Sequence, residues 1–186
     1  LAIMGNLYIG LIHYPVLNQR GEVATAALTG LDLHDIARAA KTYGVERYFV
    51  VTPVPAQQGI AARIRRYWLE TKAGHNRGEA LELVEIVGSY EASLRSIERR
   101  EGERPLVIGT SARRLDRPQI GYEALRRQLE SSPQPVYILF GTGWGLAKPL
   151  LERLDYLLPP LLGPGEWNHL SVRAAAAIIL DRLRGK

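Results

Sequence analysis

Two stretches in the C-terminal part of the chain combine residues suited to holding a ligand. The first is Pro135-Val-Tyr-Ile-Leu-Phe-Gly-Thr-Gly-Trp-Gly-Leu146 and the second is Leu154-Asp-Tyr-Leu-Leu-Pro-Pro-Leu-Leu-Gly-Pro-Gly-Glu-Trp-Asn-His-Leu-Ser-Val172. Each starts as a buried-looking strand, passes into a loop rich in Gly or Pro, and opens a helix. Loops in that position build ligand sites in α/β proteins. Glycines at 141, 143 and 163 let backbone come close to a ligand. Asn168 and Ser171 offer hydrogen bonds beside a helix start, where each serves equally as a cap. Glu166 can accept a proton, or simply be solvated. The commoner nucleotide motifs are missing: the 141–146 loop has no third glycine at dinucleotide spacing and no Lys-Ser/Thr ending. There is no Gly-x-Ser-x-Gly elbow either.

The rest of the chain supplies elements to position these loops. Leu7–His13 reads as an apolar strand and Pro15–Gly30 as a long loop. Asp32 is expected to cap a helix whose buried stripe is Leu33, Ile36, Ala37 and Ala40, with Gly44 closing it. Val45–Thr52 is the second strand. After Pro53–Pro55 a helix from about Gln57 to Glu70 carries Arg63, Arg65, Arg66, Tyr67 and Trp68. Lys72–Gly78 reads as a polar loop, Leu81–Val87 as a strand, Tyr90–Arg100 as a helix, and Arg104–Thr110 as a central parallel strand. A helix over about Tyr122–Glu130 follows the basic loop Arg113–Arg117. The final helix buries Val172, Ala175, Ala176, Ile179, Leu180 and Leu183 on one face, with Asn168 or His169 at its start. Strands alternate with helices throughout. That predicts an α/β fold, a mostly parallel sheet with helices on both faces, in one domain spanning 1–186.

Composition narrows the function classes. The 186 residues are 46% hydrophobic and 23% charged, with no cysteine and four scattered histidines. These values fit a globular protein and exclude disulfides and thiolate metal sites, and the scattered histidines, without ligand spacing, argue against a structural zinc. No apolar run is long enough to cross a membrane, and Leu1-Ala-Ile-Met4 lacks the features of a signal peptide, so a cytoplasmic protein is expected. The net charge of +5 comes almost entirely from arginine. Arginine's planar fork suits phosphate and stacks on bases, so nucleic acid is a natural partner, although genome composition or heat adaptation gives the same excess.

Taken in order, three segments resemble the SPOUT class of methyltransferases. Asp35-Ile-Ala-Arg-Ala-Ala-Lys-Thr-Tyr-Gly-Val45 is similar to the first motif of the class. Leu139-Phe-Gly-Thr-Gly-Trp-Gly-Leu146 is similar to the second. Leu158-Pro-Pro-Leu-Leu-Gly163 with Asn168-His-Leu-Ser-Val172 and the Ala-rich helix is similar to the third. The chain departs from the pattern at Asp35, where Asn is usual, at Gly143 or Trp144, where Glu is usual, and in the distance from Asn168 to the Ser-Val pair.

The resemblance implies a C-terminal trefoil knot, a homodimer, S-adenosylmethionine as cofactor, no metal, and methyl transfer to tRNA or rRNA, on a base or a ribose. A catalytically inactive knotted RNA-binding protein and a nucleotide-binding regulatory module are the alternatives. It further implies catalytic roles for Arg38, acting from the partner subunit, and for Asn168 and Ser171. Cofactor contacts are expected from Gly109, Thr110, Phe140, Gly141, Thr142, Gly143, Leu158, Gly163, Trp167, Asn168 and Leu170, with Leu139 and Leu162 helping to line an apolar slot. Arg63, Arg66, Arg113 and Arg114, with Arg65, Lys72, Arg77 and Arg117, are candidates for contact with RNA. Trp144 and Trp167 fall in the site loops, where stacking on RNA and a bland role, as a lid over the core or a dimer contact, are equally expected.

Overall fold

The structure is a computed structural model and describes residues 4–71 and 75–186. The strands are β1 (Leu7–Ile12), β2 (Val16–Leu17), β3 (Val23–Ala24), β4 (Arg47–Val51), β5 (Val84–Val87), β6 (Leu106–Gly109), β7 (Val136–Gly141) and β8 (Tyr156–Leu157). The helices are α1 (Gly30–Thr42), α2 (Pro55–Glu70), α3 (His75–Leu81), α4 (Tyr90–Glu101), α5 (Tyr122–Ser131), α6 (Lys148–Leu151) and α7 (Val172–Arg184). Six strands form one sheet in the order β5-β4-β1-β7-β6-β8, with every pairing parallel.

Both faces of this sheet are buried, so its central strands are apolar at every position. In β1, Leu7, Ile9 and Leu11 point to one face, while Tyr8 and Ile12 point to the other. In β7, Val136, Ile138 and Phe140 share the first face and Tyr137 and Leu139 the second. The first face is covered by α1, α2, α3, α5 and α7. The second is covered by α4 and α6, through Tyr90, Ile97 and Leu150. Gly10 is needed on β1 because a Cβ there would lie 2.4 Å from the hydroxyl of Tyr137. That buried hydroxyl donates to Ser93 Oγ at 2.7 Å, and burial pushes the phenol's pKa up.

Strand order reverses in the middle of the sheet. From β1 the chain moves outward to β4 and β5, then returns to build β6, β7 and β8 on the other side. The reversal lies between β1 and β7, whose carboxyl ends carry His13 and Gly141. A crevice at such a reversal is where open α/β sheets bind ligands.

Several expectations are corrected. Residues 15–30 are not a plain loop: β2 and β3 form a short antiparallel hairpin, turned through Asn18, whose Oδ1 accepts from the N–H of Arg20 and Glu22. Thr29, not Asp32, is the cap of α1, and its Oγ accepts from Asp32 N at 3.2 Å. Asp32 sits in the first turn, where a carboxylate opposes the positive helix end. His75–Leu81 is helical rather than a polar loop, which moves the start of the next strand to Val84. Lys72 lies outside the described residues. β6 is flanked by the two-residue β8, so it stands next to the sheet edge rather than at the centre. Ser171 caps α7, accepting from Ala174 N at 3.2 Å, in place of Asn168 or His169.

Ser93→Ala leaves the buried Tyr137 hydroxyl without its partner. We expect a loss of about 1–3 kcal/mol in urea unfolding. Combining it with Tyr137→Phe should recover part of that loss, and strict additivity would show that the two groups do not interact.

Candidate active site

A cavity of about 800 Å³ opens at the carboxyl edge of the sheet, on the face that carries α1 and α7. Four segments wall it: Ala26–Asp32, Thr110–Arg113, Phe140–Gly145, and Leu158–Val172 with the first turns of α7. The volume lies within the range of small-molecule sites.

The 141–147 loop is held by the hairpin. Trp144 N donates to Leu17 O at 3.0 Å, Leu17 N to Gly145 O at 2.9 Å, and Ala147 N to Pro15 O at 3.1 Å. Thr142 Oγ donates to Ile12 O at 2.8 Å, tying the loop to the end of β1. Gly143 has φ +58°, and a Cβ there would stand 3.0 Å from Leu17 O. Gly141 has its own requirement, because a Cβ would lie 3.0 Å from Leu146 N and 3.2 Å from Gly145 C. The loop therefore folds back on itself at a position where any side chain would meet backbone.

The opposite wall is tied at two points. Asn168 Nδ2 donates to Ala112 O at 2.6 Å, joining the 158–171 segment to the loop after β6. Tyr122 OH donates to Pro159 O at 3.0 Å. Thr110 is fixed by its own side chain, which donates to Leu139 O at 2.9 Å. Arg113 donates from Nη2 to Trp144 O at 3.1 Å, so it bridges two rims of the cavity.

Charge enters from α1 and α7. Asp32, nearly buried, lines the cavity; one carboxylate oxygen lies 3.1 Å from Arg173 Nη1 and the other accepts from Thr29 Oγ at 2.7 Å. Arg173 Nε is 3.5 Å from Asp35, so the guanidinium spans both carboxylates. An arginine in the first turn of a helix opposes the helix dipole, and the two aspartates offset that cost. Near this cluster lies His13, fully buried, with no hydrogen-bond partner for either ring nitrogen among the described residues. Burial pushes its pKa down to about 4 against the opposing field of Asp32.

Of the expected cofactor residues, Thr110, Phe140, Gly141, Thr142, Gly143, Leu158, Asn168 and Leu170 line this cavity, as do the expected catalytic Asn168 and Ser171. Glu166 and Trp144 also line it. The remaining candidates lie elsewhere. Leu139 alternates with Phe140 and so faces α4 and α6. Gly109 faces the same way, its Cβ position 2.3 Å from Leu154 Cδ1. Gly163 and Leu162 stand out in solvent, and Leu161 takes the lining role instead. Trp167 is 80% exposed and packs edge-on against His169. Arg38 lies outside its own cavity, on the outward crest of α1 with Leu31. Arg113 lines the cavity, Arg114 is exposed beyond it, and Arg117 is turned inward to Leu151 O. Arg63 and Arg66 are exposed on α2. Sequence reasoning missed Ala26, Ala27, Thr29, Asp32 and Tyr122. The Thr29-x-x-Asp32 spacing signalled only a helix start.

The parallel sheet, its strand reversal and the position of this cavity are the frame of an open α/β ligand-binding fold. A family profile described as SAM-dependent RNA methyltransferase matches residues 6–185. The chain belongs to that family, and its cofactor is S-adenosylmethionine. It is 40% identical over 186 residues to a protein of Aquifex aeolicus, covering 98% of this chain and 90% of that protein. It is 44% identical over 183 residues to a protein of Oleidesulfovibrio alaskensis named tRNA (guanine-N(1)-)-methyltransferase. That match covers 97% of this chain and 42% of the relative, so the chain spans less than half of it. Among solved structures, the SpoU methyltransferase AviRb from Streptomyces viridochromogenes, in complex with AdoMet, superposes with a TM-score of 0.58 at 16% identity. The alignment covers 98% of this chain and 60% of AviRb.

Two measurements check this geometry. Gly141→Val forces the loop open against its own backbone. We expect a 10- to 100-fold loss of affinity for S-adenosylhomocysteine by calorimetry, corresponding to about 1–3 kcal/mol of overpacking; undiminished affinity would move the site. His13, whose folded pKa is depressed, leaves stability fully present above its unfolded value near 6.5 and progressively lost as pH falls toward about 4. Between pH 7 and pH 4 we expect about 3 kcal/mol of stability to be lost through this residue. His13→Leu should remove that share of the pH dependence in urea titrations.

Proposed function

We propose that the cavity at the β1–β7 reversal holds S-adenosylmethionine and that the chain methylates tRNA as a homodimer. The observation that carries this reading is the convergence of four chain segments with the first turns of α7 around one apolar-floored cavity. The residues present fit the cofactor. Phe140, Leu158 and Leu161 offer a dry slot for an adenine ring, edged by backbone N–H and C=O groups. Gly141 and Gly143 keep the loop free of side chains. The segment Pro159–His169 would thread the C-terminal trefoil knot of this fold class.

The bound cofactor supplies an electrophilic methyl group on a sulfonium, which leaves as a neutral thioether. The chain's own task is positioning the acceptor in line with that methyl group and taking a proton from an acceptor hydroxyl or ring N–H. Asn168 holds the Ala112 loop against the cavity wall, and Ser171 fixes the start of α7, so both shape the site through backbone. Asp32, Glu166 and His169 line the cavity and are the groups placed to accept a proton.

Arg38 is exposed on the crest of α1 and does not line its own cavity. A second copy, docked against the outward faces of α1 and α7, would bring it to the neighbouring cavity. Leu31 and Ile178 are exposed on those faces and would be covered in such a dimer.

Labelled-methyl transfer to tRNA, followed by nucleoside analysis, tests the proposal and names the acceptor atom. We expect label in one nucleoside. Cofactor binding without transfer to any RNA would support a binding protein instead. Arg38→Ala and Asn168→Ala should each be nearly inactive alone. Mixed and re-equilibrated, they should recover about a quarter of parental activity, because half the dimers are hybrids carrying one intact site. No recovery would place Arg38 outside the partner's site.

A further inference from the structure

α2 carries a second surface that the cavity does not use. Ile60, Arg63 and Tyr67 recur at i, i+3 and i+7, so they form one stripe along the helix, with Arg66 beside it. Ile60 is 54% exposed and Tyr67 59% exposed. The only carboxylate of α2 is its last residue, Glu70. Among the described residues, neither Arg63 nor Arg66 has a carboxylate within ion-pairing distance. Arg65 is different, being turned inward to Leu81 O at 3.1 Å.

The aromatic part of this surface is braced from behind. Trp68 meets the ring of His34 edge-on at 5.7 Å and carries the Arg77 guanidinium 4.9 Å from its centroid. Tyr67 stands at 86° to Trp68, 5.3 Å away. Its ring is therefore supported on one side and open on the other. The Ile60 side chain and the Tyr67 ring leave apolar surface in water beside unpaired arginines, surface that a stacked base would cover.

The position of α2 ties this surface to the cavity. The helix leaves the carboxyl end of β4, the same sheet edge on which the cavity opens. Gln57 accepts from Leu28 N at 3.2 Å, and Ile64 Cδ1 lies 3.7 Å from the Cβ position of Gly30. α2 thus runs beside the segment whose Ala26, Ala27 and Thr29 line the cavity. At the helical rise per residue, Arg63 and Arg66 stand about 12 and 17 Å along the helix from Pro55.

We propose that this face of α2 docks an RNA strand outside the cavity, with Arg63 and Arg66 on consecutive phosphates and Tyr67 stacked on an unpaired base. Unpaired arginines match a backbone of phosphates, and an exposed ring accepts any base on its face. The inference rests on methyl transfer to RNA as proposed above. It assigns the grip on the substrate to a helix that lies outside the three motif segments.

The test uses the whole chain with total tRNA. Binding is measured across 50–200 mM salt, roughly the range over which phosphate contacts register. For Arg63→Ala/Arg66→Ala we expect about a 10-fold weaker affinity and a salt slope flatter by about 1.4, the share of two phosphates on a single strand. Arg63→Lys/Arg66→Lys should restore the slope. Tyr67→Ala should weaken binding by about 10-fold without changing the slope, and Tyr67→Phe should bind as the parent does. Affinity for S-adenosylhomocysteine should be the same in all of them. In transfer assays KM for tRNA should rise while kcat holds. Parental affinity and slope in the arginine pair would overturn the proposal. Failure of the parent to bind S-adenosylhomocysteine would instead overturn the cavity reading, leaving the tRNA titrations to decide the α2 surface on their own.

Discussion

Everything at the cavity depends on the pairing of β1 with β7. Six residues of each strand are in parallel register, from Leu7 opposite Val136 to Ile12 opposite Gly141. The pairing joins segments far apart in sequence, so it is costly in loop entropy and must be repaid by burial on both faces. Its register decides what meets at the carboxyl edge. Ile12 O lands beside Thr142, and the hairpin that follows β1 lands against the glycine loop that follows β7. A slip of one residue would send Phe140 to the α4 side and empty the cavity floor.

From that junction the site is assembled almost entirely by main chain. Asn168, Thr110, Thr142 and Tyr122 each spend a side chain on a carbonyl of another segment. Each bond is worth only about 1 kcal/mol net. Together they fix several loops relative to one another, which is what an in-line methyl transfer needs from its protein. The charged cluster of Asp32, Asp35 and Arg173 does the same for the two helices that flank the cavity. Arg173 is partly exposed, so this cluster is better understood as locating α1 against α7 than as a large source of stability.

The sequence made most of the frame legible. Apolar runs marked the central strands, and the stripe of Leu33, Ile36, Ala37 and Ala40 is fully buried as its spacing predicts. The glycine loop and the 158–171 segment were recognisable because their residue types are demanded by backbone geometry. What was hidden depended on direction or on distance in the chain. Leu139 and Phe140 are both apolar, and only the pleat says which one floors the cavity. Asp32 looked like a cap because its partner, Arg173, lies on the last helix. The hairpin at 16–24 is too short to show a period of its own; it exists because the 141–147 loop pairs with it. Gly109, Gly163 and Trp167 were expected at the cofactor from the loops they occupy, yet β-strand alternation and outward loop geometry place them outside the lining. Arg38 was expected to point away from its own core, and it does.

The central claim is that one cavity, at the reversal of the sheet, receives the cofactor of this family. A crystal structure of the chain grown with S-adenosylhomocysteine tests it most directly. Density for the adenosyl group between the 141–145 loop and the 158–171 segment, with the adenine against Phe140 and Leu158, is the predicted result. A ligand bound with full occupancy elsewhere on the molecule would contradict the account.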